Sequence, residues 1–433
     1  MRIAVIGAGI SGMLAARLLA GDKAPADHDV HVFEANDYIG GHTQTIPIDA
    51  FGRRYAVDTG FMVFNHQTYR NFTRLLRLLG IGQRDSDMSF SVRCDRTGLE
   101  YQGSSLRGLF AQPTNLLRPS FLRMLADIVR FNRQSRELLR EGAEDPLLEE
   151  YLDRHGYGRA FAEYYLVPMG ASIWSAGPEE FRRFPARFIV RFFENHSLLQ
   201  LRGGPQWKTV VGGAARYVEA LMRPLAGRVR LGAAVERIAR GEQGVSVRVR
   251  GDKPESFDAV VVACHGDQAL DLLEDASDAE REILGAFRYQ ANDVVVHLDE
   301  TMLPRRRRAW ASWNYRVPRE AGRRVVLTYN LNRLQGHESP SPICATLNGA
   351  ELVEPAKILR RLVYHHPIIS PAALAAQRRW REINGCRGTY YCGAYWGYGF
   401  HEDGARSALK VAECFGRSLE SLATSLGQRT DRI

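Results

Sequence analysis

The fold is decided by one stretch near the start of the chain. Arg2-Ile3-Ala4-Val5-Ile6 is followed at once by Gly7-Ala8-Gly9-Ile10-Ser11-Gly12, then by Met13 to Leu19, and later by Val30-His31-Val32-Phe33 ending on Glu34. The first run is short, apolar and β-rich, so it predicts a strand. Met13 to Leu19 carries a helical apolar pattern, and Val30 to Phe33 predicts a second strand. Strand, glycine turn, helix, strand and acid is the order that a dinucleotide fold needs. Gly7 permits the tight turn, Gly9 lets the backbone approach a pyrophosphate, and Gly12 lets helix and strand pack closely. The helix N-terminus offers free N–H groups and partial positive charge to the phosphates. Glu34 stands roughly twenty residues past Gly12, where a carboxylate accepts ribose hydroxyls and disfavours a 2′-phosphate.

Which dinucleotide binds is not fixed by this unit alone. Gly40-Gly41-His42-Thr43 follows after a short loop. It reads either as a plain turn or as a second backbone stretch laid against the phosphates. No second strand-GxGxxG-helix unit follows, so one dinucleotide site is expected.

The remaining composition narrows the class. With 433 residues the chain has room for two or three domains. Hydrophobic residues at 45% and charged residues at 25% make an ordinary globular mixture. No run of 18 apolar residues occurs, and the glycine-broken N-terminus does not read as a signal peptide, so a cytoplasmic location is expected. Cys94, Cys264, Cys344, Cys386, Cys392 and Cys414 lack metal-ligand spacing and are expected as free thiols. A net charge of +9 suits nucleic acid, an anionic membrane or an acidic substrate. No nucleic-acid-binding signature accompanies it, so no nucleic-acid partner is expected. No HExxH, no Cys/His cluster and no GxSxG elbow is present, so neither a metal nor a hydrolase is expected.

Further blocks carry a resemblance. Glu34 with Gly40-Gly41, Asp58-Thr59-Gly60-Phe61, Gly212-Gly213 before a helix, Ala234-Val235-Glu236-Arg237-Ile238, the strand Asp258 to Ala263, and Gly393 with Gly404-Ala405-Arg406 follow one another along the chain. In these the sequence resembles the FAD-dependent amine oxidase and phytoene desaturase superfamily. The resemblance implies an α/β fold: a Rossmann-type FAD-binding domain with an α+β substrate domain. It implies FAD as cofactor, held around Gly7, Gly9, Ile10, Ser11, Gly12, Glu34, Ala35, Gly41, His42, Thr43, Gly60, Phe61, Val235, Ala263, Gly393, Gly404 and Ala405. The Gly404-Ala405-Arg406 segment is expected to open the last helix toward the flavin. Two departures stand out: His42 where many members carry arginine, and Ala394 where many carry an acid.

A narrower resemblance rests on GGHTQT, VDTGFMVFN, SDMSFSV, ASIWS, PQWKTVVGG and CGAYWGYGFHEDG. These look like the flavoprotein half of plant cyclopropane fatty acid synthases and their bacterial counterparts, which sit beside acyl methyltransferases. This resemblance implies desaturation of methyl-branched, unsaturated acyl chains of membrane phospholipid on the way to furan fatty acids. The alternatives are oxidation of an amine or a polyene, or a flavin-binding scaffold for an acyl methyltransferase. A homodimer is also expected.

The FAD-binding domain is expected from residues 1–90, 203–270 and 385–425, and the substrate domain from 91–202 and 271–384. Leu116 to Phe131 pairs large apolar residues with spaced arginines, and Arg305 to Arg308 precede Trp310 and Trp313. Both read as contacts with the anionic inner face of the cell membrane, or else as an amphipathic helix and a solvated loop. His401, Glu402 and Tyr395, with His265, are the candidate bases, weighed against a role in holding the loop. Trp174, Trp207, Trp396 and Phe400 are candidates to line an acyl tunnel, weighed against plain core. His196 and His297 are expected to be structural. Lys208 is noted because amine oxidases place a lysine near the flavin.

Overall fold

The computed structural model describes residues 1–21, 28–200, 203–319 and 324–427. The quoted stretch forms strand β1 (Arg2–Ile6), helix α1 (Ile10–Ala20) and strand β2 (Asp29–Phe33). These belong to a five-stranded parallel sheet. Its order is Val229–Arg230, β2, β1, Ala259–Val262 and Thr389–Tyr391. Parallel sheets need cover on both faces, and these strands are correspondingly apolar. Ala259 to Val262 are all buried. One face packs on α1 and on the last long helix, His401–Glu413, through Met13, Leu14, Ala408 and Val411. The other face meets the three-stranded sheet Val235–Gly241, Gly244–Val249 and Glu255–Phe257 through Ile238, Val245 and Val247.

A seven-stranded mixed sheet makes the second layer system. Its order is Ile358–Ile368, Arg288–His297, Cys344–Leu347, Val326–Asn330, Trp313–Val317, Phe90–Cys94 and Glu100–Gln102. Helices between residues 106 and 195 cover it. Phe121, Phe131, Phe161 and Trp174 pack in one core with Val92, Val294 and Leu327 of the strands. The expected α/β fold, a Rossmann-type sheet with an α+β partner, is the fold found.

The amphipathic stretch from Leu116 to Phe131 is not one helix from its start. A 3₁₀ turn, Pro113–Leu117, precedes the helix Pro119–Gln134. Proline has no N–H to continue a helix and pushes the preceding residue to extended backbone. Arg118 accordingly sits at φ −101°, ψ 103°.

Candidate functional site

The glycine turn is built as its sequence demands. Gly7 has φ 100°, a conformation that side chains resist. Gly9 ends the turn at φ −73°, and Met13 N–H closes the first helical turn on the Gly9 carbonyl at 2.9 Å. The N–H groups of Ile10, Ser11 and Gly12 therefore lie in the unpaired first turn. A Cβ added at Gly9 would meet no atom within 4 Å, whereas one at Gly12 would lie 1.9 Å from the Gly7 carbonyl oxygen. Gly12 is thus a packing glycine, and Gly9 faces open space.

The second glycine pair docks on the first. Gly40 N–H donates to the Ala8 carbonyl at 2.9 Å, and a Cβ on Gly41 would come within 3.2 Å of the Gly9 Cα. The pair is a turn, closed by Thr43 N–H on the Gly40 carbonyl at 2.9 Å, and that turn is laid against the first glycine loop. Gly60 and Phe61 lie against the same segment, with Phe61 N–H donating to the His42 carbonyl at 2.9 Å.

Glu34 stands at the end of β2 and is almost wholly buried. It accepts from Ala8 N–H at 2.7 Å through Oε2, and from Asn36 N–H at 2.9 Å and Asn36 Nδ2 at 2.7 Å through Oε1. A carboxylate has about four lone-pair sites, so capacity remains for a ribose hydroxyl. Val235 follows a segment that is bonded to Glu34 and Asn36 through Ala233 and Gly232 N–H, both at 2.8 Å. Ala35 is exposed beside it. Ala263 faces the turn from the end of its strand, near Gly7 and Gly12. The open Gly9, the free helix amides and the residual capacity of Glu34 fit a dinucleotide.

The far end of the site departs from expectation. The last helix opens at His401, not at Gly404, because Asp403 accepts from Phe400 N–H at 3.1 Å and caps it there. Gly404 N–H is already spent on the Phe400 carbonyl at 3.0 Å. A Cβ on Gly404 would lie 2.8 Å from the Ile10 side chain, and Ala405 is fully buried. Gly404 and Ala405, with Ile10 and Ser11, therefore form a close helix crossing. Gly393 lies behind, its N–H donating to Ser407 Oγ at 2.9 Å, with the Tyr395 ring stacked under it.

The three candidate bases are placed elsewhere. His401 is buried, stacks on Phe61 with ring centroids 3.6 Å apart, and shares Nε2 with Thr43 Oγ1 at 2.7 Å and Tyr217 OH at 3.1 Å. Burial holds its pKa well below the usual histidine value. Glu402 accepts from Asn71 Nδ2 at 2.7 Å and from the backbone N–H of Asn71 and Phe72, so it serves the start of helix Arg70–Leu78. Burial raises its pKa against those bonds. Tyr395 is buried against Phe287 and Trp396, its hydroxyl has no partner, and desolvation raises its pKa far above ten. His401 and Glu402 are bonded within the fold around the site, and Tyr395 is packed there by its ring.

Aromatic residues divide in the same way. Trp174 is enclosed by Phe181, Phe184, Phe188 and Phe192 and belongs to the core. Trp207 and Phe400 stay half-buried around the His196 ring, and Trp396 is half-buried by the last helix. His196 and His297 make structural bonds, to the Phe192 carbonyl at 2.9 Å and to Thr346 Oγ1 at 2.7 Å. Lys208 pairs with Asp85 at 2.6 Å.

Sequence reading missed a group beside the glycine pair. His42, His265, His365 and His366 come together there, with Tyr289 and Tyr364 stacked on two of the rings. The His365-His366 doublet before Pro367 was the only local signal.

A glycine-lined cradle at the carboxyl ends of parallel strands is where folds of this class bind a dinucleotide. The chain belongs to the flavin containing amine oxidoreductase family, whose model matches residues 10–308. It is 28% identical over 261 residues to the Mycobacterium tuberculosis protein named "Putative flavin-containing monoamine oxidase AofH". That match covers 57% of this chain and 53% of the other, so the chain spans about half the length of the curated relatives it matches. Cyclohexylamine oxidase from Brevibacterium oxydans has a similar structure, with TM-score 0.67 and 18% identity over 96% of this chain and 99% of that one. A CLA-producing fatty acid isomerase from P. acnes gives TM-score 0.66 and 18% identity over 96% and 98%. At these identities the structural matches show the fold.

Proposed function

We propose that this flavoprotein dehydrogenates methyl-branched, unsaturated acyl chains of phospholipid at the inner face of the cell membrane. One observation carries the reading. Ten large hydrophobic residues are exposed among the described residues, and four of them, Leu106, Leu116, Leu117 and Leu122, fall within one short stretch. Leu117 is 84% exposed. Exposed Arg107 follows the first of these leucines and exposed Arg123 follows the last. The turn Leu106–Leu109 also contacts the 3₁₀ turn Arg307–Ala309, which joins the second basic cluster to the same face. Apolar side chains flanked by arginines suit an anionic bilayer surface, where leucines enter the acyl region and arginines meet phosphates. No helix among the described residues is long and apolar enough to cross a membrane.

The chemistry follows from the substrate. A C–H at a methyl branch next to a double bond is both tertiary and allylic, so hydride loss there gives the most stabilised cation. Proton loss from the neighbouring carbon then leaves a conjugated diene. Bound FAD supplies the two-electron acceptor. The chain's own residues hold the acyl chain, exclude water and take the proton. A carbon next to an allyl cation is so acidic that a weak base suffices, and His265, held neutral by burial, is the candidate for it. The reading includes an upstream methyltransferase that installs the branch, and a homodimer.

Phospholipid with methyl-branched unsaturated chains is expected to bleach the oxidised-flavin band anaerobically and to yield a diene. Unbranched chains should react at least about tenfold more slowly, the effect of roughly 1.4 kcal/mol in the barrier. Equal rates on the two lipids would sink the mechanism, and bleaching by amines alone would move the reading to amine oxidation. Flotation with vesicles rich in phosphatidylglycerol tests the surface. Leu116→Ser with Leu117→Ser should weaken binding at least about tenfold, since each buried leucine contributes roughly 1.5–3 kcal/mol. Unchanged flotation would remove the membrane assignment.

A further inference from the structure

Four imidazoles meet where the edge strand Ile358–Ile368 reaches the glycine pair. The His42 centroid lies 5.5 Å from that of His366 and 6.2 Å from that of His265, which is 6.2 Å from His365. No group of three or more His, Cys, Asp or Glu among the described residues is placed to hold a metal ion, so these rings meet as neighbours rather than as ligands. Burial disfavours charge on His42, His265 and His366, and charge on a neighbouring ring disfavours it further on His265 and His366. Desolvation and then that repulsion hold His265 and His366 down to about 3, and desolvation holds His42 down to about 4. Tyr364 faces His42, Tyr289 faces His265, and the nearby carboxyl of Asp267 is itself pushed upward by burial.

The His366 ring has a fixed side-chain partner. Asn292, fully buried on Arg288–His297, sets its Nδ2 3.1 Å from His366 Nδ1 and 3.3 Å from the Gln290 carbonyl oxygen. A carbonyl only accepts, so the Asn292 atom between them is the amide nitrogen. Asn348 fixes the same orientation from the other side, its Nδ2 donating to Asn292 Oδ1 at 2.8 Å. Asn348 has φ 52° and a buried Oδ1 without a partner. A non-glycine residue held there costs energy that functional sites tend to store. Because Asn292 donates to His366 Nδ1, that nitrogen carries the lone pair and the ring proton sits on Nε2.

Nε2 of His366 has no hydrogen-bond partner among the described residues, and the side chain keeps open surface. Its surroundings place it along the dinucleotide site. His42 follows Gly41, which packs on Gly9, while Pro367 lies 3.3 Å from where a Gly399 Cβ would stand, on the loop into the last helix.

We propose that His366 is a neutral hydrogen-bond donor through Nε2–H, fixed by Asn292 and Asn348 as positioning residues, and that it donates to an oxygen of the flavin dinucleotide. The acceptor rests on the FAD reading, while the tautomer rests on the Asn292 bonds alone. A neutral donor polarises an oxygen without giving up its proton.

Long-range ¹H–¹⁵N correlation spectra of histidine-labelled protein test both parts separately, with His366 assigned by its loss in His366→Gln. The full-length apoprotein is expected to show unprotonated Nδ1 and protonated Nε2 on His366 from about pH 5.5 to 8, where an ordinary histidine titrates. A proton on Nδ1, or titration near pH 6.5, would overturn the tautomer. Asn292→Asp should move the proton to Nδ1 and raise the pKa of the ring, because a carboxylate accepts where the amide donated. Adding FAD should shift the Nε2–H signal, and an unmoved signal would overturn the acceptor. His366→Ala should weaken FAD binding about tenfold, the worth of one hydrogen bond, and His366→Gln should recover most of it. FAD binding equal to wild type in both variants would overturn the acceptor as well.

Discussion

Alanine at Gly9 and alanine at Gly12 are both expected to strip the protein of FAD, but only the second should destabilise the apoprotein. The two glycines are three residues apart and do different work. Gly9 has an ordinary backbone conformation, φ −73° and ψ 179°, and nothing lies within 4 Å of its missing Cβ. A methyl group there strains nothing in the chain. It fills the space that a pyrophosphate needs for close approach to the helix N-terminus. At Gly12 the added Cβ would lie 1.9 Å from the Gly7 carbonyl oxygen and 3.1 Å from the Ala263 side chain. The oxygen belongs to backbone, so the turn itself must move. Overpacking of this kind costs about 1–3 kcal/mol. Thermal unfolding of the apoproteins and FAD titration should therefore separate. Gly9→Ala should melt like wild type and bind FAD at least about a hundredfold more weakly, a loss of roughly 2.7 kcal/mol. Gly12→Ala should fail in both measurements. Normal FAD affinity in Gly9→Ala would mean that the cradle lies elsewhere.

The contrast between these glycines was legible because the βαβ unit is local. Its strand, turn and helix are contiguous, and the roles of the three glycines follow from their spacing. Blocks of resemblance were legible as blocks, but not as contacts. Asp58 and the segment after Gly212-Gly213 are far apart in sequence, yet Asp58 Oδ1 accepts from Ala214 N–H at 2.9 Å and from Thr45 Oγ1 at 2.5 Å. Burial pushes the Asp58 carboxyl up to about 6 in spite of those donors. Much of what the blocks preserve is therefore the docking of one segment on another.

The candidate bases show where local reading ends. His401 and Glu402 are neighbours in sequence, but successive helix residues project about 100° apart. One side chain turns inward to Thr43 and Phe61, and the next turns to the start of another helix. A helix that started at Gly404 would leave both in a loop, free to face a ligand. The histidine cluster was hidden for a different reason. Its members come from residues 42, 265 and 365–366, and they meet only through strand register. Asn292 reaches His366 because Arg288–His297 pairs antiparallel with Ile358–Ile368, Gln290 lying opposite His366. A slip of one residue would turn that imidazole to the other face, and nothing in the local pattern sets the register.

Register also depends on how distant pieces are clamped, and the clamp behind the parallel sheet gives the other large expected effect. Arg240→Met should destabilise the protein by about 3–5 kcal/mol, the cost of leaving a buried partner charge uncompensated. The Arg240 side chain is 1% exposed and Glu280 is 3% exposed. Arg240 donates to Glu280 Oε1 at 2.5 Å and Oε2 at 3.0 Å, and to Asp275 Oδ1 at 2.7 Å. Tyr391, on the edge strand of the parallel sheet, adds its hydroxyl to Glu280 at 2.5 Å. Three segments remote in sequence are tied at one point. Burial alone would raise the Glu280 carboxyl, but Arg240 and Tyr391 outweigh it and hold it at about 2. A carboxyl depressed on folding stabilises the protein above its unfolded pKa, near 4.5, and that stability is lost as pH falls toward 2. Wild type should therefore lose stability over this window, and Glu280→Gln should lose less of it. Arg240→Met combined with Glu280→Gln should be more stable than Arg240→Met alone, since the orphaned charge is gone while an acceptor remains for Tyr391. Asp275 stays paired with Arg387 in both variants. Urea unfolding of the four proteins measures the coupling. A double variant as unstable as the sum of the singles would show that the pair is not the clamp.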